Sequence, residues 1–196
     1  MRGWKRFLGT EGSQIVEFAV AMPLLVVFVV GIFDFGEAFN DKLKLNGAVR
    51  EGARVASSLP TTDLTSNGGS TGTAPPSIDA VRSTVDTYLT SAGMNDCGLS
   101  TFTGMLSGTS PLSWTYSAGQ SQGNGGCPGP LTLTVNRAYS FKTTINTVQV
   151  DVICTQVTIS YPFMWHFNSV IQFLVPGASY AGVTQIPTDA IAPNLD

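Results

Sequence analysis

The sequence predicts an α+β protein: one long N-terminal helix that crosses a membrane and continues as a stem, then a small exported domain with a second helix packed on an antiparallel sheet. Three observations predict it. The run from Phe18 to Phe33 contains no charged residue. Apolar residues between Ile78 and Leu89 recur at helical spacing, and two later stretches alternate apolar with polar residues as half-buried strands do. The 196 residues leave, beyond one membrane segment, enough chain for one modest domain able to bury a core. The expected division is a basic leader over 1–12, a membrane and stem helix over 13–58 with its membrane part at about 15–36, and an exported domain over 59–196.

The first element is set by length and charge. Phe18 to Phe33 alone gives about 24 Å of helix, short of the roughly 30 Å hydrocarbon layer. Ser13 to Val16 on one side and the stretch through Phe35 on the other extend the apolar run to about 20 residues, enough to cross. Arg2, Lys5 and Arg6 precede the run, whereas Asp34, Glu37 and Asp41 are the first charges after it, with Lys42 and Lys44 further out. The positive-inside rule then places the N-terminus in the cytoplasm and the bulk of the chain outside. A cleaved secretory signal is the competing reading. Against it stand the length of the run, Pro23 in its first half, and the poor small-x-small site Gly36-Glu37-Ala38 followed at once by Phe39. Glu17 would cost about 2.5–3.5 kcal/mol at the bilayer centre and much less near the cytoplasmic edge, where a helix N-terminus favours an anion.

Helical patterning does not stop at the membrane. Phe35, Phe39, Leu43, Val49, Ala53 and Ala56 continue it, and Pro60 disfavours helix at Leu59, so one helix is expected from near Gln14 to Ser58. Gly47 and Gly52 each cost about 1 kcal/mol against Ala there, which points to close packing or a local bend. Glu51 and Arg54, three apart, can pair on an exposed face, and a partner-binding face is the alternative use of Arg50, Glu51 and Arg54. Thr61 to Pro76 reads as a flexible loop. Ser77 is the expected cap of a second helix whose apolar face is Ile78, Val81, Val85, Tyr88 and Leu89, with Asp79 in its first turn and Gly93 at its end.

The sheet follows. Leu131, Leu133 and Val135 alternate with Thr132 and Thr134, and Val148, Val150 and Val152 alternate with Gln149 and Asp151. The apolar parity then changes near Cys154, to Val157, Ile159 and Tyr161, as a bulge or break would produce. Gly123 to Pro130 reads as a loop, and Trp114, Tyr116, Trp165 and the Phe167–Phe173 stretch as core or, failing that, as an interface.

Three stretches resemble a known family. Gly12-Ser13-Gln14-Ile15-Val16-Glu17-Phe18, leading into the apolar run, resembles the processing site of type IV prepilins and pseudopilins, where a membrane aspartyl peptidase cuts after the Gly. Ala48-Val49-Arg50-Glu51-Gly52-Ala53-Arg54 resembles the A-x-R-E-G-A-R stretch of TadE/TadG-like proteins, the minor pseudopilins of tight-adherence (Flp, type IVc) pili. Val157 to Phe163, ending in Tyr161-Pro162-Phe163, is similar to the strand that closes the main sheet in many members. The likeness is dense over 9–58, sparse over 60–145, and returns over 147–187; Pro187 to Asp196 departs from the family's terminus. It implies a pilin-like fold, cleavage between Gly12 and Ser13, and an assembly role for Glu17 and Phe18. It further implies other pilins, the Tad machinery and the prepilin peptidase as partners, with residence in the bacterial inner membrane or the pilus. The alternative is a signal-anchored periplasmic binding or interaction module unrelated to pili.

Several chemistries have little support. Only 12% of residues are charged and the net charge is -3, so no basic surface is available to neutralise phosphates and nucleic acid is not an expected partner. Asn67 to Gly72 is glycine-rich but lacks the following Lys-Ser/Thr of a phosphate loop. His166 is the one histidine and reads as a half-buried structural residue; the carboxylates are scattered, and no C-x-x-C spacing occurs. No enzyme activity, cofactor or metal is expected. Cys97, Cys127 and Cys154 lie beyond the apolar run, where an oxidising compartment allows a bridge; Cys127 can reach either of the others, leaving one cysteine free or paired between chains.

Overall fold

The structure is a computed structural model that describes residues 10–64, 74–101, 112–119, 126–145, 147–178 and 182–194. Its elements are α1 (Thr10–Ser58), α2 (Pro76–Ser91), β1 (Ser113–Ala118), β2 (Leu131–Ile145), β3 (Val148–Met164), α3 (Phe167–Leu174) and β4 (Val183–Pro193). The architecture is therefore α+β, with a long N-terminal helix, a second helix and a four-stranded antiparallel sheet in the order β1-β2-β3-β4. The chain groups into two compact units, Met1–Ala38 with Trp165–Gly182, and Phe39–Met164 with Val183–Asp196.

α1 is one uninterrupted helix of 49 residues with Pro23 inside it, about 73 Å long at 1.5 Å per residue. It ends where the sequence requires, two residues before Pro60. In the second unit its apolar residues divide between two faces. Leu45, Ala48, Val49, Ala53 and Ala56 are buried, whereas Leu43 and Phe39 of the same periodic pattern are exposed. Gly47 and Gly52 mark close packing rather than a bend. A Cβ on Gly52 would lie 2.8 Å from the Val85 side chain, and one on Gly47 would overlap the Tyr88 ring, so α2 crosses α1 where α1 is thinnest.

α2 buries Ser77, Ile78, Val81, Val85 and Leu89 and stops at Gly93, whose φ of +71° suits a glycine after a helix. Its start differs from expectation. Pro75 is the N-cap and Pro76 the first helical residue, a favoured place for proline, so Ser77 lies inside the first turn and caps nothing. The free N–H groups are served from outside. Asp63 accepts from the Ser77 backbone N–H at 2.8 Å and from the Ser77 hydroxyl at 2.9 Å, a carboxylate at the positive end of the helix.

The helices and one face of the sheet enclose a single core of Leu45, Val49, Ile78, Val81, Val85, Leu89, Trp114, Tyr116, Leu131, Leu133, Val135, Val157 and Ile159 among others. Alternation puts these strand residues on one face and Thr115, Thr132, Thr134, Thr158 and Ser160 on the other, where Thr115 and Thr134 hydroxyls pair across the strands at 2.9 Å. Trp114 and Tyr116 are core residues. The parity change near Cys154 has its cause on the partner strand. The β2–β3 register slips between Asn136 and Tyr139, so Arg137 and Ala138 together oppose Thr155 as a bulge.

Past that bulge, β2 and β3 run on as a two-stranded ribbon. β1 pairs only as far as Asn136 and β4 only from Cys154 onward. Phe141, Val148, Val150 and Val152 share one face of it, and Phe141, Val148 and Val150 are exposed, which corrects the expectation that this alternation marks a half-buried strand. β4 is an addition that the departing terminus did not announce. It pairs with β3 from Met164↔Val183 to Cys154↔Pro193, so β4, and not the strand ending in Tyr161-Pro162-Phe163, closes the sheet.

Candidate functional site

Along its membrane part, α1 presents apolar side chains in every direction. Ile15, Phe18, Val20, Leu24, Leu25, Phe28, Ile32 and Phe33 are all between 59% and 74% exposed, which is costly in water and favourable in lipid. The helix is long and apolar enough to cross a membrane, and no residue of its most apolar stretch is buried. Gly12 and Ser13 lie in its first turns, with side chains outside the described residues; Glu17 is exposed one turn further on, beside exposed Phe18.

At the other end of the apolar run, Asp34 is 3% exposed, the most buried acidic side chain among the described residues. A carboxylate there requires compensation, and the 165–182 segment supplies it. Asp34 accepts the backbone N–H of Phe167 at 2.6 Å, at the first residue of α3, and lies 3.4 Å from Nδ1 of His166. The negative charge thus meets free N–H groups at the positive end of a helix. Next to it, Phe35 and Trp165 meet edge to face with centroids 5.3 Å apart, and Phe167 packs beside Gly31. His166 is 60% exposed rather than half-buried. Among the described residues, Asp34, Glu37 and His166 bring donor atoms within 4.8 Å of one another. Capping of α3 already explains why Asp34 is there.

The remaining family positions divide by role. Gly52 packs against α2 and Ala53 is buried in the core, while Arg50 and Arg54 point outward. Glu51 accepts from Arg54 Nε at 3.0 Å on the exposed side, and that bond holds the Glu51 carboxyl below its ordinary range. Small side chains thus carry the packing and charged ones the surface. Tyr161, Pro162 and Phe163 are buried in the strand that pairs with β4. Burial, with the Asp41 and Asp96 charges adding to it, pushes the Tyr161 hydroxyl up to about 12. Pro162 falls beyond the last β2 pair, in a stretch of β3 paired on one side, where proline is tolerated.

A buried cation ties the stem to the sheet. Arg137, 2% exposed in the β2 bulge, donates from Nη1 to the carbonyl of Ala56 and from Nη2 to the carbonyl of Leu59 at 2.9 Å. These carbonyls belong to the last turn of α1 and the residue just past it, where the helix dipole favours a cation. Sequence reasoning passed over Arg137; an arginine breaking the alternation after Val135 was its signal. Cys97 and Cys127 form a disulfide and Cys154 is a buried free thiol, which settles the pairing that the sequence leaves open.

Fold and site together define a class: an α+β protein whose stem helix is also its one candidate membrane span among the described residues. Within α1, residues 12–54 match the family model described as TadE-like protein. That stretch contains the Gly12-to-Phe18 and Arg50-to-Arg54 motifs. No curated protein and no solved structure matches the chain.

Proposed function

We propose that this chain is a structural, non-catalytic minor pseudopilin-like protein that takes part in assembling a tight-adherence (Flp/type IVc) pilus or a related secretion system. The observation that carries the reading is the TadE-like match over 12–54, falling on one continuous helix whose most apolar stretch has no buried residue. The protein sits in the inner membrane with its basic N-terminus in the cytoplasm, by the distribution of Arg2, Lys5 and Arg6 against Asp34, Glu37 and Asp41. Its partners are the prepilin peptidase, other pilins and pseudopilins, and the Tad assembly machinery.

Physical chemistry supports the roles assigned to the N-terminal residues. A cut after Gly12 leaves a new ammonium on Ser13, four residues before the exposed carboxylate of Glu17. In a bundle of such helices within lipid, the Glu17 of one subunit and the Ser13 ammonium of the next favour one axial register, because either charge left unpaired is expensive there.

Intact-mass measurement of membrane-extracted protein, with and without a prepilin peptidase, tests the reading. The expected product begins at Ser13. A chain left whole beside active peptidase moves the assignment to a signal-anchored interaction module. Glu17→Ala is expected to insert into membranes normally and to be lost from assembled pili; normal incorporation of that variant would count against the pairing role.

A further inference from the structure

The segment Trp165–Gly182 leaves the sheet at the end of β3 and returns to it at the start of β4, and its ends are joined by the Trp165 N–H bonding the Gly182 carbonyl at 3.0 Å. Between Asp151 and Asp189 the chain contains no Asp, Glu, Lys or Arg. Within the segment, Phe167, Val170 and Ile171 recur at the i, i+3, i+4 spacing of one helix face, with Asn168 and Ser169 between them. Val175, just beyond, is 57% exposed.

The place where this uncharged segment is fastened decides what covers it. Its contacts with α1 are to Gly31, Asp34 and Phe35, the last turn of the apolar run. The first charge of α1 after the membrane part is Asp34 itself, and that carboxylate is neutralised by the α3 N-terminus. α3 is therefore held at the depth where hydrocarbon gives way to headgroups. Trp165 and His166, amphipathic rings suited to that layer, stand at its start.

From this we infer that α3, with Trp165 and Val175 at its ends, lies in the headgroup layer of the leaflet at the C-terminal end of the membrane helix. Asp34 acts as the latch that holds it there. The occupant of the exposed apolar surface at its C-terminal end, Val175, is lipid, continuous with the lipid around α1. A loop between two strands thereby becomes a second membrane contact, immersed by roughly 5–10 Å in the manner of interfacial helices. The inference rests on the reading of α1 as a membrane span.

Nitroxide accessibility in phosphatidylethanolamine/phosphatidylglycerol nanodiscs tests it, using the full chain with Cys154→Ala and labelling without reductant so that the Cys97–Cys127 bond stays closed. Three single-label variants are compared: Val26→Cys within the span, Val175→Cys, and Ser91→Cys at the exposed end of α2. Collision with oxygen relative to a water-soluble nickel complex should be highest at 26, several-fold above the 91 value at 175, and lowest at 91. A site at 175 that matches 91 while 26 remains oxygen-rich overturns the inference and leaves the membrane span standing. Water-like collision at 26 removes the span, and the inference with it.

Discussion

Replacing Arg137 by Met removes the cation from the end of the stem helix while keeping most of the aliphatic bulk in the core. Two charge-assisted hydrogen bonds, to the Ala56 and Leu59 carbonyls, are lost, at about 1.5–3 kcal/mol each. Against this, a buried guanidinium costs several kcal/mol to desolvate, and that cost also disappears. What decides the sign is the Leu59 carbonyl left behind, since the Ala56 carbonyl keeps the Leu59 N–H at 3.3 Å. Each buried acceptor without a donor costs about 1–3 kcal/mol, and an apolar side chain cannot replace the fork. The net expectation is a loss of about 2–4 kcal/mol, which for a domain of this size lowers Tm by roughly 6–12 °C. Thermal unfolding of the detergent-solubilised protein, followed by circular dichroism, measures it. Arg137→Lys, able to reach one carbonyl but not to bridge two, should fall between. An Arg137→Met protein melting within about 2 °C of the parent would refute the idea that the helix end is held by this charge.

Gly52→Ala gains about 1 kcal/mol of helix propensity but drives a methyl into Val85; overpacking at about 1–3 kcal/mol prevails, and denaturant titration should show a net loss of stability. Breaking the disulfide with Cys97→Ser and Cys127→Ser opens a loop of 30 residues and should cost about 3–4 kcal/mol in chain entropy, read as a lower denaturation midpoint. Asp86 has its carboxyl pushed above the ordinary 3.8, first by burial and then by neighbouring Asp96. A raised carboxyl contributes stability below pH 3.8 that is lost as pH rises through its folded value, so Asp86→Asn should be more stable than the parent at pH 7. That advantage should vanish in melts below pH 3.8, and an equal advantage at both pH values would contradict it.

The parts of the fold legible in the sequence were those whose signal is local and repeated. The end of α1 at Ser58, the inward face of α2 and the alternation of Leu131 to Val135 each follow from periodicity and one breaker residue. Gly47 and Gly52 were readable as a crossing because nothing else justifies two glycines in a stem. β4 was hidden by Pro187 and Pro193, both tolerated because it is an edge strand. β1, at six residues, is too short to stand out. α3 carried a usable helical pattern in Phe167, Val170 and Ile171, yet over only two turns, where aromatic composition reads equally well as core. The exposure of Val148 and Val150 was beyond reach, because alternation announces an apolar face without naming what meets it. Asp34 and Arg137 were equally invisible, since a capping partner 133 residues away, or one 81 residues away, leaves no trace in local sequence.

The stem also limits how the protein can be cut. Leu45, Ala48, Val49, Ala53 and Ala56 are a wall of the core, so the helix that anchors the chain is at the same time part of what it anchors. A protease acting near Phe39 would leave a fragment that keeps this wall. One acting after Leu45 would begin to strip it away and expose Val81, Val85 and Leu89 to water. Any shed form of the protein, natural or made in the laboratory, therefore has a boundary of about six residues within which folding survives release.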